Sequence, residues 1–138
     1  MTMDLMRALN VSASGMKAQG TRLRVISENI ANQDSVGTTK GADPYRRKTI
    51  VFKDILDKKT GATLVHVNKI GRDDSAFALA YEPYHPLADD DGYIKRPNVN
   101  GLIEMMDMRE AQRTYEANLT VIESSKKMIQ RTIDLLRG

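Results

Sequence analysis

The chain has 138 residues, with 21 Lys and Arg against 18 Asp and Glu, no Cys and no Trp. That length suits one domain, or a small domain with extensions, and a content of 41% hydrophobic and 28% charged residues is that of neither a membrane nor a disordered chain. Absent cysteine excludes a disulfide framework, a thiol nucleophile and Cys-ligated zinc, and the longest apolar run, residues 76–81, is far too short to span a bilayer.

The first 32 residues read as a helix. Leu5, Leu9, Ser12, Met16, Gln19, Leu23, Ile26 and Ile30 alternate spacings of four and three, the pattern of a heptad seam. Beside the seam runs a strip of small residues, Ser12 to Gly15 and Gly20. Interior glycine costs a helix about 1 kcal/mol, so the strip reads as a groove for another backbone. Asn32-Gln33-Asp34-Ser35, with Gly37 and Gly41 beyond, ends the helix. The opening MTMDLMRALNVSASGM lacks the charged start and apolar stretch of a secretory signal, which predicts a chain outside the general secretory route.

The middle reads as strands and turns. Tyr45–Lys53 and Ala62–Ile70 are rich in β-branched and aromatic residues, and Ala76–Tyr81 alternates with period two. From Glu82 to Pro97 the text is turn-rich, with three prolines and Asp89-Asp90-Asp91-Gly92. The last segment predicts an uninterrupted helix over Leu102–Arg137, started by Pro97, Asn98, Asn100 and Gly101, acidic early and basic late. Its seam runs Met105, Met108, Gln112, Tyr115, Leu119, Ile122, Lys126, Ile129, Ile133 and Leu136. The predicted fold is α+β: two long terminal helices (1–35 and 98–138, each with its turn) pairing in coiled-coil fashion around a β-rich middle (36–97). A helix over 101–138 would be about 57 Å long, whereas a globule of this size is about 37 Å across. Its apolar seam reaches Leu136, so surfaces of other chains are needed to cover the far end.

Catalytic chemistry has little to rest on. His66 and His85 stand 19 residues apart without metal-ligand spacing, and the three aspartates lack the spacing and closing Glu of a calcium loop. No glycine-rich phosphate loop or nucleophile elbow is present, and neither cofactor nor metal is expected. Arg46-Arg47-Lys48 is the one basic run, and a small nucleic-acid-binding α+β protein is the alternative reading it suggests. Charge elsewhere is even along the chain, with four bases and two acids in 1–32, eleven and ten in 33–98, and six and six in 99–138. A solvated face or a charged contact between subunits is therefore the preferred reading of the run. Asn29 and Asn118 stand in apolar helical surroundings, where an asparagine either specifies register by finding a buried partner or faces solvent. Asn32 reads as part of the helix end.

Ser12–Thr38 (SASGMKAQGTRLRVISENIANQDSVGT) resembles the N-terminal motif of flagellar rod and hook axial proteins, Ser-x-x-Gly-Met followed by Asn-Ile-Ala-Asn. Asp43–Phe52, Tyr81–Asn100 and Glu104–Leu136 narrow the resemblance to the proximal-rod members. Ser35 and Gly37-Thr38 depart from the usual Thr and Gly-Tyr of the motif. The resemblance implies a structural subunit of the periplasmic rod, exported through the flagellar type III apparatus without a cleaved signal, with other rod subunits and its own copies as partners. Terminal helices would line a tube around the export channel and transmit torque. It assigns axial packing to Ser14, Gly15, Met16, Asn29, Ile30, Ala31 and Asn32. In the last helix it assigns the same role to Met105, Met108, Tyr115, Asn118, Leu119, Ile122, Met128 and Leu135. The seams add Leu5, Leu9, Leu23, Ile26, Ile129, Ile133 and Leu136 to the expected assembly surface.

Overall fold

Thr2–Ala31 forms helix α1 in the computed structural model, which describes residues 2–138. Strands β1 (Lys48–Asp57), β2 (Ala62–Arg72), β3 (Ala78–Tyr81) and β4 (Tyr93–Arg96) follow, and helix α2 (Gly101–Arg137) closes the chain. The architecture is α+β, two long helices flanking two small two-stranded sheets, β1–β2 and β3–β4.

Local chemistry explains the boundaries. α1 ends where the Asn32 side chain folds back, Nδ2 donating to Glu28 O at 2.8 Å and Oδ1 accepting from Ser35 Oγ at 3.1 Å. Asn100 caps α2, its Oδ1 accepting from the backbone of Leu102 at 3.1 Å, and no glycine or proline then interrupts the helix before Arg137. The β1–β2 connection is too short for anything but an antiparallel hairpin. It is closed by Gly61 N donating to Asp57 O at 2.7 Å, with Gly61 at φ +68. In β3–β4, Leu79 pairs with Lys95, Ala80 with Ile94 and Tyr81 with Tyr93.

Strand placement departs from the sequence reading in three ways. β1 begins at Lys48 and runs on to Asp57, leaving Arg46 and Arg47 ahead of it. β3 is only four residues long. β4 lies inside the stretch read as turns, because a strand of four residues after an Asp-rich turn shows too little periodicity to register.

The chain divides into two compact units, each assembled from separated segments. The first comprises Met1–Leu23, Val51–Lys69 and Arg109–Gly138; the second comprises Arg24–Ile50 and Ile70–Met108. In the first unit α1 and α2 run antiparallel: Leu5 shares a cleft with Ile129, Ile133 and Leu136, Gly15 lies against Asn118, and Arg22 faces Glu110 at 3.6 Å. β2 is tied to α1 by Val65 N donating to Ser14 Oγ at 3.2 Å. Buried apolar residues here are small, Ala18, Ala62 and Ala111, joined by buried Ser12 and Ser125. The second unit buries Val25, Ile26, Ala88 and Ile94. Its fully enclosed large side chains are polar: Glu104 is 0% exposed and Asn29 1%.

Candidate assembly surface

The inner face of α2 carries Glu104, Ala111, Asn118, Ser125 and Thr132, spaced seven apart, interleaved with half-buried Met108, Tyr115, Ile122 and Ile129. Small and short polar residues let a partner backbone approach closely. A Cβ added at Gly15 would sit 2.8 Å from Asn118 Nδ2, so the Asn118 carboxamide would have to shift to admit a side chain there. The expected seam had Met105, Gln112, Leu119, Lys126 and Ile133 in the alternate positions; all five are exposed. Large apolar side chains consequently line the outside of α2. Leu102, Ile103, Met105 and Met106 are exposed in its first turns, and Val121, Met128 and Leu135 form a heptad stripe further on.

The remaining expected residues divide the same way. Leu5, Leu9, Ser14, Met16, Leu23 and Ile30 are half-buried, Ile26 is buried, and Ala31 and Leu136 are exposed. The strip of small residues is a close-approach surface at Gly15 but not at Gly20, where nothing lies within 4 Å of an added Cβ.

Polar bonds rather than apolar bulk organise the second unit. Asn29 Oδ1 accepts from Lys48 N at 2.9 Å and from Tyr45 Oη at 2.7 Å. Its Nδ2 donates to Lys48 O at 3.0 Å and reaches Glu104 Oε2 at 3.4 Å. Every hydrogen-bonding position of the carboxamide is used. Glu104 is bound in turn by Arg47 Nε, and Arg47 also faces Asp73 at 3.7 Å and Asp107 at 3.9 Å. Burial disfavours the Arg47 cation, but the hydrogen bond and charge of Glu104, with Asp73 and Asp107, outweigh it and raise its pKa. Burial likewise pushes the Tyr45 phenol up. The sequence flags Asn29 but not Glu104, Lys48 or Tyr45 as its partners, because 75 residues separate Asn29 from Glu104.

This network gives the basic run partners within the chain itself. Arg47 is held by carboxylates, Lys48 Nζ pairs with Glu28 at 2.5 Å, and Arg46 donates to Asp73 O at 2.9 Å while stacking 4.3 Å over Phe77. Intrachain partners therefore engage all three cations, which weakens the nucleic-acid alternative. Of the remaining candidates, His66 is exposed on β2, and His85 Nδ1 accepts from Leu87 N at 3.1 Å. Asp89 holds its own turn through Asp91 N and Tyr93 N, and Asp90 pairs with Lys40 at 2.6 Å.

The chain is thus an α+β protein whose longest helix leaves large apolar side chains exposed. Residues 9–37 match the flagella basal body rod protein family, and residues 90–135 match the C-terminal region of flagellar basal body rod FlgEFG proteins. The chain is 52% identical over 134 residues to the flagellar basal-body rod protein FlgC of Agrobacterium fabrum, covering 97% of this chain and 96% of that one. Its identity to FlgC of Salmonella typhimurium is 38%, covering 96% and 98%, and to FlgC of Bacillus subtilis 37%, covering 96% and 99%. The chain belongs to the FlgC family of flagellar basal-body rod proteins, a structural rather than an enzymatic family.

Proposed function

We infer that the chain is a rod subunit whose exposed α2 face packs against other rod subunits and further copies of itself. The observation that carries this is the placement of Val121, Met128 and Leu135 on one exposed stripe of a 37-residue helix. Each large apolar side chain gains about 1.5–3 kcal/mol on full burial, which an isolated chain leaves unrealised there. Rigid packing along helices about 45 and 55 Å long suits torque transmission in a periplasmic shaft around the export channel. Delivery through the flagellar export apparatus belongs to the same reading. The assembly residues proposed are the outward apolar positions of α2, with Leu5, Ile133 and Leu136 at the open end of the first unit.

The test is incorporation. Val121→Asp with Met128→Asp is expected to leave the purified chain's helical signal and unfolding midpoint unchanged, yet to remove the chain from detergent-resistant basal bodies and abolish swimming. Normal incorporation of that variant would reject the assigned face.

A further inference from the structure

The even charge along the sequence divides unevenly between the two units once the chain is folded. The first unit holds 13 Lys and Arg against 7 Asp and Glu, the second 8 against 11, giving formal charges of +6 and −3. Each unit also presents one apolar feature of complementary form. In the second, the loop after β3 closes on itself, Glu82 N donating to Gly92 O at 2.9 Å and Asp89 N to Tyr93 O at 2.9 Å. Gly92, at φ +85, fits under the Tyr81 ring and Pro83. The closed loop carries Tyr84, 99% exposed, and four carboxylates, of which Glu82 pairs with Arg96 and Asp90 with Lys40, each at 2.6 Å, so that Asp89 and Asp91 leave the loop net acidic. In the first unit, Met3 and Met6 floor an apolar cleft rimmed by Arg7 and Lys59, with exposed Lys58 beside it.

We propose that Tyr84 of one copy docks in the Met3–Met6 cleft of a second copy, an acidic collar meeting a basic rim. Methionine accommodates an aromatic ring through its flexible, polarizable thioether. An exposed tyrosine on a closed loop loses little conformational freedom when it is buried. Donor and acceptor surfaces differ, so the contact is heterologous and repeats in one direction, each copy offering a loop to the next and a cleft to the last. Charge complementarity sets that direction, since loop against loop and cleft against cleft both oppose like charges. The contact rests on the subunit reading above and adds to it the partner and polarity of one interface.

The chain has no cysteine, so single cysteines report this contact cleanly. Full-length Thr2→Cys and Pro86→Cys variants, mixed and treated with a short thiol-to-thiol crosslinker, are expected to give a mixed dimer roughly tenfold over either homodimer at low salt. The excess should fall towards random pairing by about 0.5 M salt. Tyr84→Ala in the Pro86→Cys partner should abolish the excess, and Tyr84→Phe should retain it. Lys59→Glu should suppress it, and Asp91→Lys in the other partner should restore it. Random pairing at every salt concentration, or an excess indifferent to Tyr84, overturns the proposal. Incorporation of the unsubstituted chain into basal bodies is read separately, so random pairing in a chain that does incorporate defeats this contact and leaves the subunit role standing.

Discussion

Asn29 and Lys48 pair as two strand residues would, the carboxamide of one standing in for a backbone: Nδ2 donates to Lys48 O and Oδ1 accepts from Lys48 N. The end of α1 thereby fixes where β1 begins. Asn29→Ala is expected to destabilise the chain by about 2–3 kcal/mol, the cost of leaving buried backbone groups unmet. Tyr45→Phe, which removes only the bond to Asn29 Oδ1, should cost about 1 kcal/mol. Urea unfolding midpoints measure both, and equal losses would show that the Lys48 bonds are not dominant.

Glu104 is fully buried with Arg47 on one side and Asn29 on the other. Glu104→Ala should cost about 3 kcal/mol by leaving Asn29 Nδ2 and Arg47 Nε without their shared carboxylate, while Asp73 and Asp107 still face the guanidinium. The double variant Glu104→Leu with Arg47→Met should be less destabilised than Glu104→Ala alone, because it removes the cation together with its hydrogen-bonded carboxylate and refills the space. Additive losses in chemical denaturation would count against the pair as a coupled unit.

Gly15 and Gly20 predict opposite signs for one substitution. Gly20→Ala meets nothing within 4 Å and should stabilise α1 by about 0.5–1 kcal/mol. Gly15→Ala presses on the Asn118 carboxamide and should cost about 1 kcal/mol despite the same helix-propensity gain. In an Asn118→Ala background the Gly15→Ala penalty should vanish, which thermal unfolding of the four variants would resolve.

Acid should loosen the chain in a defined sense. Glu28 is held below its ordinary value by the hydrogen bond from Lys48, Asp57 by the Thr60 hydroxyl, and Asp73 by the Ser75 backbone N–H. Each binds a proton more readily when unfolded, so their stabilisation is present above the unfolded values of 3.8–4.5 and is lost as pH falls through the lower folded ones. The urea midpoint should hold near neutrality and drop below about pH 4.5. Asp57→Asn with Asp73→Asn should flatten that drop; an unchanged slope would exclude these two carboxylates as its source.

The long helices were legible because apolar residues recur every three or four positions over more than thirty residues. Which face points inward was not. Met108, Tyr115, Ile122 and Ile129 belong to the inner face and to the apolar periodicity alike, so they cannot distinguish Glu104, Ala111, Asn118 and Ser125 from Met105, Gln112, Leu119 and Lys126 as their neighbours. Hydrophobicity favours the second set, whereas close helix approach selects the first. The Asn29 network was half visible: an asparagine amid apolar residues announces a missing partner, but only the fold brings Tyr45, Lys48 and Glu104 to it. The unequal charge of the two units was hidden altogether, because each unit draws on distant segments.

β3 and β4 are four residues each, with Pro83 shortly after one and Pro97 directly after the other. Edges so brief, bounded by residues without an amide hydrogen, offer a stray chain little backbone to pair with. The β3–β4 sheet is thus a poor template for cross-strand pairing with a neighbouring copy, and contacts made there fall to its side chains.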